Sequence, residues 1–554
     1  MQRAAIDCCV GTAGQSAIRR ALRAGDPQVR KRRVPDHGLP IIRAMSTQTS
    51  DLQTPSSEVG VQSLHDAQYR ALRTRDARFD GRLFVGVTST GIYCRPVCRV
   101  RPPRQANCRF FANAASAEHQ GFRPCLRCRP ELAPGLSMTD SSGTLAGQAA
   151  VMLHQSVHDG ADASVAALAG RLGVTDRHLR RIFAQAHGIS PIDYLTTQRL
   201  LLAKHMLTDT AMPVTQVALA AGFGSLRRFN AVFLARYRMS PGALRRAHPA
   251  GRATDEVGGG DGATLRLAWR SPYDTSGVMR FFAQRQIAGV ERVDNLTWQR
   301  SLALAHAGRR LSGWFSARLV PERNEVALTV SPGLMPALGG VILRLRHALD
   351  LDADPAQIDP LLAGIVGDAS TPPPRPGLRL TSGPDGFETA VRVILGQQVT
   401  VAAARTLTQR LVARFGASIE TPFDAIDRLF PDADSLAVAD PADIGTLGIV
   451  RQRVGAIQAL ARAVASGDIQ LHRAAPLPAT LDALRALPGI GEWTVQLIAM
   501  RALGWPDAWP ASDIAILNAL GTRDIKAATA QAEAWRPWRA YAVMRLWQLL
   551  EKTP

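Results

Sequence analysis

The chain has no uninterrupted run of eighteen or more apolar residues, the length a membrane-spanning helix needs, and its opening residues contain no apolar stretch of signal-peptide length. No membrane partner is expected, and the expected location is the cytoplasm. Cysteine is scarce: there are seven in 554 residues and none after Cys128. A disulfide-stapled scaffold is not expected, and the C-terminal half has no thiolate for a metal or iron–sulfur centre. Acidic side chains fall short of basic ones, 46 against 66, leaving a formal charge of +20 that favours a polyanion, nucleic acid first. What remains is ordinary globular composition, 46% hydrophobic and 20% charged. At roughly 150 residues per domain, the length corresponds to about three to four domains.

The charge is unevenly spread. Residues 1–44 carry +6, 45–130 carry +7 and 131–250 carry +5, whereas 251–376 and 377–554 carry +1 each. The N-terminal half is the electrostatic candidate for DNA, so any action of the C-terminal half on nucleic acid must rest on local geometry. Residues 1–59 read as a disordered tail. For the Arg-rich first 44, a presequence is one alternative, and an over-long gene reading with Met45 as the true start is favoured. Low-complexity stretches at Gly258-Gly259-Gly260-Asp261-Gly262 and Thr371-Pro372-Pro373-Pro374-Arg375-Pro376 read as domain joints.

Four cysteines are spaced as Cys94-x3-Cys98 and, after twenty-six intervening residues, Cys125-x2-Cys128. Each close pair can claim two corners of one tetrahedron, so the pattern predicts a single four-thiolate Zn²⁺ site. Cys8, Cys9 and Cys108 fit no ligand pattern. A structural site is the bland reading, but eight arginines (95, 99, 101, 104, 109, 123, 127, 129) against one acid, Glu118, between 91 and 130 suggest a face turned to an anion. Four thiolates on Zn²⁺ leave a formal charge of −2 and a sulfur ionised at neutral pH, able to attack a methyl group.

Gly91-Ile92-Tyr93-Cys94-Arg95-Pro96-Val97-Cys98, with Phe110-Phe111-Ala112-Asn113-Ala114 and Gly121-Phe122-Arg123-Pro124-Cys125-Leu126-Arg127-Cys128, resembles the N-terminal domain of the Ada family of adaptive-response regulators over about residues 60–132. The resemblance implies that Cys94 irreversibly accepts the methyl group of a DNA methyl phosphotriester. The loss of one negative charge would then strengthen DNA binding. It also implies RNA polymerase as a partner. No Pro-Cys-His-Arg nucleophile motif is present, so repair of alkylated guanine oxygen is not expected.

Residues 165–183 and 214–233 form an internal repeat: Val165, Leu168, Ala169, Gly173 and Phe183 match Val214, Val217, Ala218, Gly222 and Phe233. Each unit reads as a short helix, a Gly turn and a basic second helix, the layout that places a helix in a major groove. The expected readers are Arg177, His178, Arg180 and Arg181, then Arg227, Arg228 and Asn230. With Gly222-Phe223-Gly224-Ser225, Phe229 and Met239-Ser240-Pro241, the region resembles the AraC-type DNA-binding domain over about 150–247.

In the C-terminal half, Leu487-Pro488-Gly489-Ile490-Gly491-Glu492-Trp493-Thr494 lies between apolar helical segments. Gly489 and Gly491 would allow a tight turn that leaves backbone N–H groups free at a helix start to hold one phosphate. Twenty-two residues after Gly491 stands Asp513, in Pro510-Ala511-Ser512-Asp513. Its bland role is a helix cap. Together with Arg392 to Val399, Ile498 to Gly504 and Trp535 to Ala542, these segments resemble the helix-hairpin-helix glycosylases of the 3-methyladenine DNA glycosylase II (AlkA) branch over about 263–551. The resemblance implies that Asp513 is the catalytic carboxylate and that Trp493 and Trp547 are base-pocket aromatics, whose electron-rich faces favour a cationic base. Trp493 stands where bifunctional relatives carry a Schiff-base lysine, which implies excision without strand cleavage. Gln398 stands at the wedge position, apolar in some relatives.

The fold class expected is multidomain and mostly α. It comprises a small four-cysteine zinc α+β domain (60–132), an all-α double helix-turn-helix domain (145–248), a Gly-rich linker (249–262), an α+β sheet domain (263–376) and an all-α helix-hairpin-helix glycosylase domain (377–554). The function expected is a methyl-phosphotriester-sensing transcriptional activator fused to a monofunctional DNA-3-methyladenine glycosylase, acting on alkylated and promoter double-stranded DNA in a bacterial nucleoid. The rivals are a regulator whose glycosylase half is inactive and a glycosylase whose N-terminal parts only tether it to DNA.

Overall fold

The cysteine pairs sit on a small sheet in the computed structural model, which describes residues 57–133, 145–159, 164–210, 212–247, 263–306, 308–365 and 375–550. The expected tail before Ser57, the linker 249–262 and the prolines at 372–374 lie outside them. Helix α1 (Ser57–Arg73) has as its first turn residues 57–59, expected as tail. It leads into β1 (Phe84–Val87), β2 (Ile92–Cys94), β3 (Cys108–Phe111), α2 (Ala114–His119) and β4 (Arg123–Pro124). The strand order is β3-β1-β2-β4, with β1 antiparallel to β2 and β3 and β2 parallel to β4. Cys94 ends β2 opposite Val85, and β4 runs straight into Cys125, so the sheet brings the two pairs together.

The repeat folds as two matching units. Helices α4 (Val165–Arg171) and α5 (Asp176–His187) follow α3 (Leu145–Asp159). After α6 (Pro191–Asp209) come α7 (Val214–Ala220), α8 (Leu226–Tyr237) and α9 (Pro241–Ala247). The second helix of each unit is capped alike: Thr175 accepts from the His178 N–H and Ser225 from the Arg228 N–H, both at 3.2 Å. Both turns pass through a glycine of positive φ, Gly173 at 67° and Gly222 at 79°. Phe183 and Phe233, equivalent in the repeat, are both fully buried, each contributing about 1.5–3 kcal/mol of apolar burial.

The third region is an antiparallel sheet of order β5-β9-β8-β7-β6, built from β5 (Ala263–Ala268), β6 (Glu291–Asp294), β7 (Thr297–His306), β8 (Arg309–Val320) and β9 (Glu325–Val330). Helix α10 (Thr275–Arg285) stacks Phe282 on Trp298 of β7 with ring centroids 4.2 Å apart. Helices α11 (Leu338–Ala348) and α12 (Pro355–Leu362) follow. The last region is helical: α13 (Gly386–Leu395), α14 (Val401–Phe415), α15 (Ala433–Val438), α16 (Pro441–Gly445), α17 (Arg451–Ala465), α18 (Leu477–Arg485), α19 (Glu492–Arg501), α20 (Ile514–Ala519), α21 (Ile525–Ala532) and α22 (Arg539–Leu549).

These regions pack on one another. One apolar core runs from Phe183 and Phe233 into Leu265, Trp298 and Leu334. Buried Arg270 donates to the carbonyls of Asp80 (3.0 Å) and Asp352 (2.6 Å), and Arg82 pairs with Asp354 at 2.5 Å. Among the described residues no helix is long and apolar enough to cross a membrane.

Candidate functional site

Helix α19 begins at the hairpin loop and carries Trp493 in its first turn; α22 carries Trp547 near its end; α20 begins at Asp513. The three converge. Asp513 Oδ2 accepts from Trp493 Nε1 at 2.9 Å, and Oδ1 accepts from Trp547 Nε1 at 3.2 Å and from the Ile516 N–H at 3.0 Å. Asp513 does cap α20, and the same carboxylate also accepts from both indoles. One backbone donor and two indole edges fix a carboxylate that is 8% exposed. The sequence suggested aromatic faces for a cationic base; the indole N–H edges turn out to orient the carboxylate as well.

Asp513 and both tryptophans line a cavity of about 570 Å³, walled on the far side by the sheet domain through Phe281, Phe282 and Trp298. Deep in that wall Arg300 lies between Glu291, at 2.5 Å, and Glu388, while Arg392 reaches Glu388 at 3.0 Å and Glu291 at 3.3 Å. Burial pushes the Glu291 carboxyl up, but Arg300 and Arg392 outweigh it and hold it below its ordinary value. Arg501, also lining the cavity, has no carboxylate partner among the described residues. Burial, with Arg285 nearby, brings it down to about 9.

Only one of the two hairpin glycines sits where a side chain would be strained. Gly489 has φ +77°, and a Cβ there would lie 3.0 Å from Ala456 Cβ and 3.3 Å from the Gln452 carbonyl. Gly491 caps α19 with φ −86°, and a Cβ there would meet open space. Gln398 is exposed, with φ +53°, at the tip of the loop between α13 and α14.

In the N-terminal region the Cys94, Cys98, Cys125 and Cys128 sulfurs all lie within 4.8 Å of one another. A four-thiolate Zn²⁺ site requires S–S separations of about 3.8 Å, so the cluster fits that ion with small side-chain adjustment. Three of the cysteines are buried and Cys128 is half-buried. Two of the eight arginines do not face solvent. Arg95 is buried against Asp80 (Nε to Oδ1, 2.8 Å), and Arg129 is held by Glu131 at 2.8 Å and Asp209 at 2.6 Å. Of the eight, Arg99, Arg101, Arg104, Arg109 and Arg127 are exposed and Arg123 is half-buried. Glu118, the counted acid, is also no surface group: it is 3% exposed and accepts from Tyr93 Oη at 3.0 Å and Thr197 Oγ1 at 3.2 Å. The set of solvent-exposed arginines is thus smaller, and no exposed acid offsets it between 91 and 130.

Of the expected readers, Arg177, Arg180 and Arg181 on α5 and Arg227, Arg228 and Asn230 on α8 are exposed; His178 is half-buried. Arg180 pairs with Asp176 at 3.0 Å, and Arg181 contacts His178 Nδ1 at 3.3 Å.

Comparison with known proteins gives four matched domains. The metal binding domain of Ada covers residues 67–131, a helix-turn-helix domain 168–247, the AlkA N-terminal domain 264–385, and the HhH-GPD superfamily base excision DNA repair protein 391–538. The chain is 36% identical over 495 residues to a probable bifunctional transcriptional activator/DNA repair enzyme AlkA of Mycobacterium tuberculosis, spanning 87% of this chain and 96% of the relative. It is 32% identical over 281 residues to DNA-3-methyladenine glycosylase 2 of Escherichia coli, 51% of this chain and 95% of the relative. It is also 32% identical over 158 residues to the Escherichia coli bifunctional transcriptional activator/DNA repair enzyme Ada, 28% of this chain and 42% of the relative.

Proposed function

The chain belongs to the family of bifunctional transcriptional activator/DNA repair enzymes that join Ada-type regulatory domains to an AlkA-type glycosylase, and from that premise we propose which residues do which work. The observation that carries the reading is Asp513, fixed by Trp493, Trp547 and the α20 backbone at the wall of a cavity large enough for an extruded base. A purine alkylated on a ring nitrogen is cationic, so its bond to C1′ breaks with the electron pair leaving on the base. The sugar becomes oxocarbenium-like, and the Asp513 carboxylate stabilises it. Water then adds at C1′ and gives up a proton to the solvent. Trp493 in the lysine position supports base excision without strand cleavage, the activity of DNA-3-methyladenine glycosylase II.

Gly489, Gly491 and Gln398 would take the backbone and the vacated stack. Arg177, His178, Arg180 and Arg181 on one helix and Arg227, Arg228 and Asn230 on the other would bind promoter DNA, with RNA polymerase as the partner of activation in the bacterial nucleoid. The domain boundaries proposed are 60–132, 145–248, 263–376 and 377–554, with 249–262 as linker.

Cys94, Cys98, Cys125 and Cys128 would hold one Zn²⁺, which when bound keeps sulfur ionised at neutral pH. The Cys94 sulfur attacks the methyl carbon of a phosphotriester. The S–C bond forms, the C–O bond breaks and the phosphodiester leaves as the anion. The cluster loses one negative charge, which weakens its repulsion from DNA. No iron–sulfur cluster is assigned to the cysteine-free C-terminal half. In a test with methyl-phosphotriester DNA, the wild-type peptide containing Cys94 should gain one methyl group. Methyl transfer by Cys94→Ala at the wild-type level would remove Cys94 from this role.

A further inference from the structure

The loop between α13 and α14 and the loop between α18 and α19 are tied by one side chain. Gln397 Nε2 donates to the Gly489 carbonyl at 3.1 Å and to Thr494 Oγ1 at 2.9 Å, and Arg453 of α17 donates to the Gln397 carbonyl. A carbonyl only accepts, so the amide nitrogen must face Gly489 and the orientation of the amide is determined. The next residues project outward. Gln398 is exposed with φ +53°, and Val399 and Val401, which line the cavity, are 37% and 45% exposed. The projecting loop is therefore rooted, through Gln397, in the hairpin turn and the first turn of α19.

We propose that Gln397 is a positioning residue that holds the projecting loop 398–400 in register with the hairpin 489–491, so that seizing the DNA backbone at the hairpin drives the loop into the base stack. This rests on the reading of hairpin and wedge given above and deepens it. The two loops close different helix pairs, and although α13 packs on α19, the Gln397 amide is the hydrogen-bonded link between the loops themselves. Without it, backbone binding no longer dictates where the wedge enters. The defect belongs to extrusion of the base, not to backbone binding or to bond cleavage.

The test uses the full chain and a duplex carrying one 7-methylguanine beside a 2-aminopurine, whose fluorescence rises when its neighbour leaves the stack. In the Asp513→Asn background, which separates extrusion from cleavage, Gln397→Met should bind within about twofold of its parent but lose the fluorescence rise. With Asp513 intact, Gln397→Met should release the paired base at least about tenfold more slowly. It should release the same base from a one-nucleotide bulge, where no stack must be opened, within about threefold of wild type. Thr494→Val, which removes one of the two acceptors, should shift in the same direction by less, and carries the test if Gln397→Met does not fold. Equal losses on paired and bulged substrates, or undiminished release from the paired duplex, would overturn the proposal. If the wild type released no base at all, the excision reading would fall, while the fluorescence comparison would still decide the role of Gln397.

Discussion

Trp493 and Asp513, twenty residues apart, are joined by a 2.9 Å hydrogen bond from the indole Nε1–H to Oδ2. The tryptophan stands in the first turn of α19, immediately behind the hairpin, and the aspartate opens α20, so the bond fixes the carboxylate relative to the element proposed to grip DNA. A donor to a carboxylate is worth about 1.5–3 kcal/mol. Trp493→Phe keeps the ring and removes the donor. It is expected to lower single-turnover base release by about one to two powers of ten, with binding to abasic duplex preserved. An unchanged release rate would mean that the bond does not orient the carboxylate.

The two hairpin glycines should respond differently to alanine. At Gly489 the positive φ and the 3.0 Å approach of Ala456 make a Cβ costly, about 1–2 kcal/mol, so Gly489→Ala should lower the thermal midpoint. At Gly491, φ is −86° and the space is open, so alanine should leave the midpoint unchanged while weakening DNA binding by covering the N–H groups at the start of α19. Equal midpoints for the two variants would contradict a requirement for glycine at 489.

Much of this was legible in the sequence because it follows from short-range rules. The cysteine spacing marked the cluster, and the Gly and Phe spacing in 165–183 and 214–233 marked two units that repeat cap for cap. What escaped depends on partners distant in the chain. Arg95 and Arg129 looked free because Asp80 and Asp209 fall outside the window 91–130, and Glu118 looked exposed although Thr197, 79 residues on, covers it. Trp493 and Trp547 were named as pocket aromatics from a resemblance, but no local pattern tells whether an indole offers a face or its N–H edge. The amide of Gln397 was missed for the same reason: its two acceptors lie more than ninety residues away.

Glu118 makes the stability of the N-terminal half depend on pH. Burial raises its carboxyl from an ordinary 4.5 to about 7, and the hydrogen bonds from Tyr93 and Thr197 offset only part of that. The folded protein therefore keeps a proton that the unfolded chain has released. The contribution of Glu118 is fully present below about pH 4.5 and is lost as pH rises through 7, about 3 kcal/mol in all. Glu118→Gln is neutral at every pH. The urea stability of wild type, relative to this variant, should fall by about that amount between pH 5 and pH 8. A constant difference across that range would contradict a protonated Glu118.

The most direct test of the whole account is base release from methylated duplex DNA, followed by chromatography, for wild type and Asp513→Asn side by side. Wild type should liberate 3-methyladenine, and Asp513→Asn should bind the same DNA and liberate none. Equal release by the two proteins, or none by a folded and zinc-loaded wild type, would contradict the assignment of Asp513 as the carboxylate of a working glycosylase.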